Sequence, residues 1–442
     1  MASLCNIYLL CLNALIWIIT YFYAKQKYGV LSIGTILILI YTLISVISIY
    51  VFLNPMARND FIDNLSIIPF IYLYVMLIIS IRPTFNFSPK YISAIEIPKP
   101  KLLNFICLFF CVFSISSLFK VFPNLQTGLV DLLIDPSYAA DQYAISTYER
   151  MNQVRSSDIN IIAIIGNISN KITPFLFFCY LLQKNKNKII FTMLCLCLII
   201  TPLEGIANAS RMSIVTSFFL YGLLYIFFFP YLNKLIRQKL KKVFFIIFVV
   251  FGLFFLIISI GRNNTASGNT NLIYGFARYF SEGPLIFNNY CLDAGGTRSG
   301  EYTFAIQHIH ERSKQPNESE LRDRFRNLKI DSSRFYTYVG DFTLDFGPLG
   351  AFLIFIIFFF MVYNPSIIKK RTMTFPQMIL LFILIKFCGG FYQYQFSMST
   401  GNATLLMLIL LYVTSRMIKA CFPYSFDKVY ISRDYQSKIR NK

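Results

Sequence analysis

Eleven stretches of this chain are apolar for long enough to cross a lipid bilayer, and that pattern limits the fold more than any other feature. They lie at approximately 5–24, 30–52, 66–81, 102–122, 159–182, 188–204, 211–229, 243–261, 346–363, 376–393 and 402–418, the third and sixth being the shortest. About 20 residues of helix suffice to cover a hydrocarbon core of roughly 30 Å. Lipid offers no hydrogen bonds, so backbone at that depth must satisfy itself, and the runs read as helices. The expected fold is therefore an all-α polytopic membrane protein with about 11 transmembrane helices. The composition agrees: 56% of the 442 residues are hydrophobic and only 14% are charged, an apolar load that a soluble core does not accommodate. No basic side chain precedes the first run, and Lys25 and Lys27 follow it, which is the reverse of a secretory signal. The first run reads as an uncleaved span.

The formal net charge of +20 resembles that of a nucleic-acid binder until the charges are placed. The alternate loops beginning with Lys25 and ending with the tail hold 24 basic residues against three acids, while the rest of the chain holds 17 basic and 18 acidic residues. This alternation follows the positive-inside rule. It puts the N-terminus outside and the C-terminus in the cytoplasm, and it removes nucleic acid as the expected partner. Lysine makes up 18 of the 24 inner cations, whereas arginine outnumbers lysine 12 to 5 elsewhere.

Four parts follow. Residues 1–261 carry spans one to eight, with an acidic outer segment at 123–158. Residues 262–345 form a large outer loop with amphipathic helices, residues 346–418 carry the last three spans, and residues 419–442 are a basic cytoplasmic tail. The large loop has eight arginines but two lysines, and it contains both histidines of the protein, His308 and His310. A loop of this length in a compact protein is usually functional or disordered. Arginine in preference to lysine points to planar, two-pronged grip on phosphate or carboxylate.

Several residues are candidates for chemistry. Arg211 opens a span at the outer side, where helix-terminal N–H groups also favour an anion. Arg262 ends span eight on the same side. Leu272, Phe276, Tyr279 and Phe280 share one helical side of an amphipathic stretch that also holds Arg278 and Glu282, an i,i+4 pair. Lys171 and Lys386 fall inside spans, where a charge needs a partner, a wet cavity or a task. Lys171 follows Asn167 and Asn170, giving its span a polar face. His308 and His310 are the residues whose unperturbed titration lies nearest neutrality. Tyr338 and the acids Asp341 and Asp345, one helical turn apart, close the loop. The acids read equally well as a base or hydroxyl ligands and as partners for arginines of the same loop. The ten cysteines lie mainly inside apolar runs and read as packing residues. No metal-ligand spacing, Walker motif, nucleophile elbow or dinucleotide fingerprint is present, so neither a metal nor a cofactor is expected.

In architecture, and in Asn208-Ala-Ser-Arg211, Ala277-Arg278-Tyr-Phe-Ser-Glu-Gly283 and the Tyr338 to Gly350 stretch entering the next span, the chain resembles the Wzy-type oligosaccharide repeat-unit polymerases of O-antigen and capsule. The resemblance implies a metal-independent glycosyltransferase in the bacterial inner membrane. Its substrate would be an oligosaccharide on undecaprenyl diphosphate, polymerised at the periplasmic face. A chain-length regulator and a flippase would be partners beside the membrane lipids. It makes Arg211, Arg262 and Arg278 candidates for the diphosphate, and His308, His310, Glu282 or Asp341 candidates for the base, with Lys171, Tyr338 and Asp345 in reserve. Two other readings stand beside it: a ligase-like transferase that attaches finished O-antigen, and a transporter or flippase of lipid-linked oligosaccharide. Transporters usually show internal repeats, and none is visible here.

Overall fold

The computed structural model describes residues 4–54, 65–134, 138, 161–265, 272–304, 325–329, 335–363 and 371–432. Among them, nine helices are long and apolar enough to cross a membrane, the pattern of a multi-pass membrane protein. In chain order the helices are α1 (Leu4–Tyr28), α2 (Ile33–Leu53), α3 (Ile67–Ile81), α4 (Pro100–Ile134), α5 (Ile161–Leu181), α6 (Lys188–Ala207), α7 (Arg211–Phe228), α8 (Lys234–Thr265), α9 (Leu272–Ser281), α10 (Thr337–Val362), α11 (Phe375–Cys388) and α12 (Met398–Cys421). α4 runs well past the expected end at residue 122; its 35 residues span about 52 Å. α11 falls short of the expected 376–393. Its 14 residues cover about 21 Å, and Gly389-Gly390 then turn the chain into a buried irregular segment.

In α5, α6 and α10 an internal proline leaves one carbonyl without its helical donor, and in these three helices that carbonyl is satisfied from elsewhere. Pro174 in α5 cannot reach Asn170, whose carbonyl accepts from the Thr173 hydroxyl at 3.3 Å. Pro202 in α6 leaves Leu198, whose carbonyl accepts from Tyr221 at 2.7 Å. Pro348 in α10 leaves Leu344, whose carbonyl accepts from the Arg298 N–H at 2.8 Å. Just before it, Gly347 sits at φ 71°, ψ 167°, so α10 is two helical pieces meeting at a break. That backbone region is essentially closed to residues with a side chain.

Two compact units interleave along the chain. The first comprises Met1–Ser88, Thr270–Ser366 and Ile383–Asn402; the second comprises Pro89–Asn269, Ile367–Phe382 and Ala403–Lys442. In the first, α1 lies along α2, α9 packs on α2, and α3 packs on α10. Trp17 is clasped between Tyr41 and Tyr74, at ring separations of 5.5 and 5.0 Å. Gly34 of α2 faces the tight turn Arg82–Phe87 so closely that a Cβ there would meet the Phe85 ring at 2.6 Å. Such close approach of small residues is how membrane helices gain contact without a hydrophobic driving force.

In the second unit, α4 packs on α5 and α6, α6 on α7, and α7 on α8. Gly166 lets α5 approach α4; a Cβ there would lie 2.9 Å from the Phe113 carbonyl. The polar face read for the fifth span is largely spent here. Asn170 donates to Ser117 at 2.8 Å and accepts from Ser114, both on α4. The same unit contains a departure from the all-α expectation: a three-stranded sheet of β1 (Ala94–Pro98), β2 (Thr372–Met373) and β3 (Phe426–Tyr430), in the order β2-β1-β3. β1 runs antiparallel to β3, with Glu96 opposite Lys428, and parallel to β2, with Ala94 opposite Thr372. Glu96 also pairs with Lys419 at the end of α12. Strands of two and five residues leave no readable period in a sequence.

Candidate functional site

The candidate residues divide between the two units. In the second unit, α6 begins at Lys188, α7 ends near the lysine-bearing stretch 234–242, and α8 begins there. The turn from Glu204 to Arg211 therefore lies at the opposite end of these helices. Its geometry is tightly specified. Ser210 donates its N–H to Gly205 at 2.7 Å, and Ala209 takes a positive φ of 45°. Ala209, Ile206 and Ile214 then form a buried cluster with Phe251 and Ile258 of α8. Gly205 allows the closeness, since a Cβ there would lie 3.0 Å from Ile214.

Arg211 is the first residue of α7, and the N-cap residue Ser210 makes no side-chain capping bond to that helix. The half-exposed Arg211 thus adds its guanidinium to a helix N-terminus, a pairing that favours anions. Lys171 of α5 lies within electrostatic reach of Glu204 at the far end of the same turn. Arg262 stands one turn beyond Ile258 on α8, which is packed against Ala209's cluster; its backbone is helical, and its side chain lies outside the described residues. The fold thus gathers Lys171, Arg211 and the backbone position of Arg262 at one end of this unit. The sequence already puts Arg211 and Arg262 on one side, but the approach of Lys171 to this turn has no signal in it.

The first unit holds the other candidates. α9 is the amphipathic helix expected over this stretch, and it is seated on α2. Arg278 donates through Nε to Glu282 at 3.0 Å, and the arginine side chain remains 32% exposed while that of Glu282 is 8% exposed. Beside this pair Tyr279 meets Phe280 at 5.7 Å, Phe335 at 5.5 Å and Tyr392 at 5.0 Å. Gly283 seats the end of the helix against Thr337, with a notional Cβ 3.1 Å from the threonine methyl.

Beneath lies a buried ionic node. Arg298 donates through Nε to Asp345 at 2.6 Å and through Nη2 to the Asp341 carbonyl at 3.0 Å, and its guanidinium lies 4.6 Å from the Tyr302 ring centre. The same Nη2 is 3.5 Å from the Asp341 carboxylate. The other Asp345 oxygen accepts from the Thr303 N–H at 2.6 Å, and Asp341 accepts from the Tyr394 N–H at 2.7 Å. Burial works against the arginine's charge, but the two carboxylates overcome it and raise its pKa above the ordinary value. Of the two roles read for Asp341 and Asp345, the structure shows the second, partnership with an arginine of the same loop. Both carboxylates are deeply buried, at 2% and 1% exposure.

Tyr338 is fully buried, with its hydroxyl against Ser80 and its ring stacked 5.9 Å from Phe355, so it packs the half-helix against α3. Lys386 is buried in the last turn of α11, 5.8 Å from the centre of the Phe396 ring. His308 and His310 lie outside the described residues. Arg298 is the residue that sequence reasoning passed over. Its signal is the run Gly295-Gly296-Thr297-Arg298-Ser299-Gly300, in which Gly295, Ser299 and Gly300 all adopt positive φ. An arginine set between such turns is held by backbone, unlike one on a solvated helix face. Among the described residues no group of three or more histidine, cysteine or acidic side chains is placed to hold a metal ion. No family model, no curated protein and no solved structure matches the chain.

Proposed function

We propose that this protein is a membrane glycosyltransferase that extends an oligosaccharide carried on undecaprenyl diphosphate, as the resemblance to repeat-unit polymerases implies. The observation that carries the reading is the grouping at the 204–211 turn: Arg211 on a helix N-terminus, with Lys171 nearby and the Arg262 position one turn beyond the shared core. Arg211 in this position would supply positive charge on a helix N-terminus where a membrane-borne diphosphate leaves, without a metal.

In the reaction, an acceptor hydroxyl oxygen attacks the anomeric carbon of the lipid-linked sugar. The bond from that carbon to the diphosphate oxygen breaks, and the diphosphate leaves with the electron pair. A base takes the hydroxyl proton. The candidates for that base are the ones the resemblance implies, Glu282, His308, His310 and Asp341. Asp341 also takes part in the buried node with Arg298. Placement of the site on the periplasmic side of a bacterial inner membrane, with the N-terminus on that same side and the tail in the cytoplasm, belongs to the same proposal. So do the chain-length regulator and flippase as partners.

Arg211→Ala and Arg278→Ala are expected to abolish polymer in cells while leaving the protein inserted. Arg211→Lys is expected to remain defective, because a single ammonium cannot make the two-pronged contact. A normal polysaccharide ladder from both alanine variants rejects the assignment. A specific observation favours one rival: the break in α10 at Gly347 is a feature that transporters use. Elongation in detergent, where there is no second compartment, separates the two.

A further inference from the structure

The cluster around Tyr279 has a composition that membrane packing does not require. Three separated stretches contribute to it: α9 with Tyr279 and Phe280, Phe335 just before α10, and Tyr392 in the segment after α11. Phe335 also meets Tyr392 at 5.3 Å, so the rings enclose one another rather than forming a line. Tyr279 stands nearly perpendicular to Phe280 and Phe335, at 84° and 88°. A perpendicular contact covers one face of only one of its two rings. Tyr279, Phe280 and Phe335 are only half-buried, whereas Tyr392 is 3% exposed and forms the floor. The Arg278–Glu282 pair adjoins these rings on the same helix and offers donors and acceptors side by side.

Aromatic faces carry negative charge density, and the axial C–H bonds of a pyranose present a slightly positive apolar patch that packs on such faces. The same sugar presents vicinal hydroxyls at its rim, which both donate and accept. A guanidinium–carboxylate pair answers both needs. A lipid chain would make no use of the charged pair, and a free anion would make no use of the rings. We infer that Tyr279, Phe280, Phe335 and Tyr392, with Arg278 and Glu282 at the rim, form a saccharide-binding subsite for one pyranose ring.

The floor of this subsite is anchored from below. Thr337 donates its N–H to the Tyr392 carbonyl at 3.0 Å, Tyr338 donates to Gly390 at 2.9 Å, and Asp341 accepts from Tyr394. The segment carrying Tyr392 is thereby tied to the first turns of α10. Pre-organised aromatics of this kind bind with little loss of side-chain freedom. That the sugar belongs to a lipid-linked repeat unit rests on the transferase reading; binding of a pyranose does not.

The test uses the full-length protein purified in detergent, and saturation-transfer NMR with glucose, galactose, rhamnose, N-acetylglucosamine and N-acetylgalactosamine as probes. Saturation is expected at ring C–H protons of at least one sugar. Phe335→Leu keeps apolar bulk and removes the aromatic face, and it is expected to weaken that sugar roughly tenfold, as is Tyr279→Ala. Phe335→Tyr keeps the face and is expected to bind like the parent. No saturation with any of the five sugars overturns the subsite, and so does binding by Phe335→Leu at the parental level. Sugar binding by a protein that makes no polymer leaves the subsite standing and removes the transferase reading. Parental polymer together with undiminished sugar binding in Phe335→Leu removes the subsite alone.

Discussion

Removing the Arg298 guanidinium is the most instructive perturbation of this molecule. Arg298 is 8% exposed, and the two acids it serves are more deeply buried still. In Arg298→Ala, Asp345 loses its 2.6 Å partner, the Asp341 carbonyl loses its 3.0 Å donor, and two carboxylates share a buried site with their cation gone. Breaking a buried pair from one side typically costs about 3–5 kcal/mol. The upper half of that range is expected, because two acids are stranded. Arg298→Lys keeps the charge but cannot address two separate acceptors, and a loss of about 1.5–3 kcal/mol is expected. Asp345→Asn turns an amide NH2 toward either the guanidinium or the Thr303 N–H, leaving one donor facing another, at about 1–3 kcal/mol.

Combined with Arg298→Ala, the Asp345→Asn change is expected to cost at least about 1 kcal/mol less than the two single changes together, since it removes a stranded charge. The assay is unfolding in mixed detergent–SDS micelles followed by the fluorescence of Trp17. This is the one tryptophan of the chain, buried between Tyr41 and Tyr74 in the same unit. An Arg298→Ala protein within about 0.5 kcal/mol of the parent, the range of ordinary surface changes, would refute the argument that this node holds the unit together.

Other consequences are equally direct. Gly347→Ala forces a side chain into a backbone region that tolerates none and should lose about 1–3 kcal/mol in the same assay; a neutral result contradicts the break in α10. Gly401→Ala would put a Cβ 2.4 Å from the Phe396 backbone, whereas Gly252 has nothing within 4 Å. The first should therefore sharply reduce folded yield by size exclusion and the second should leave it unchanged, and equal yields would count against the packing described. Alkaline phosphatase inserted between residues 305 and 320 should be active, and a fluorescent protein on the tail should glow; the opposite pair reverses the orientation read from the lysines.

Much of this architecture was legible because the bilayer restricts the options so severely. Long apolar runs located most of the helices. What escaped was whatever depends on partners distant in sequence. The β1–β3 pairing joins residue 94 to residue 430 through strands too short to have a period. The end of α11 at Cys388 follows from two glycines that lie inside what reads as a continuous span. At the candidate sites, the i,i+4 pair of Arg278 and Glu282 was readable because helical spacing alone creates it. Asp341 and Asp345 were readable as a pair but not as partners of Arg298, 43 and 47 residues away. The tyrosine at 392 joins α9 only through tertiary packing, so the aromatic floor had no sequence signal.

The measurement closest to the central claim is elongation by the purified protein. With undecaprenyl-diphosphate-linked repeat units in detergent and no added metal, the parent is expected to produce lipid-linked chains longer than the starting unit, and Arg211→Ala is expected to produce none while remaining monodisperse. Undiminished elongation by Arg211→Ala, or a folded parent that leaves its own repeat unit unextended, would contradict the account.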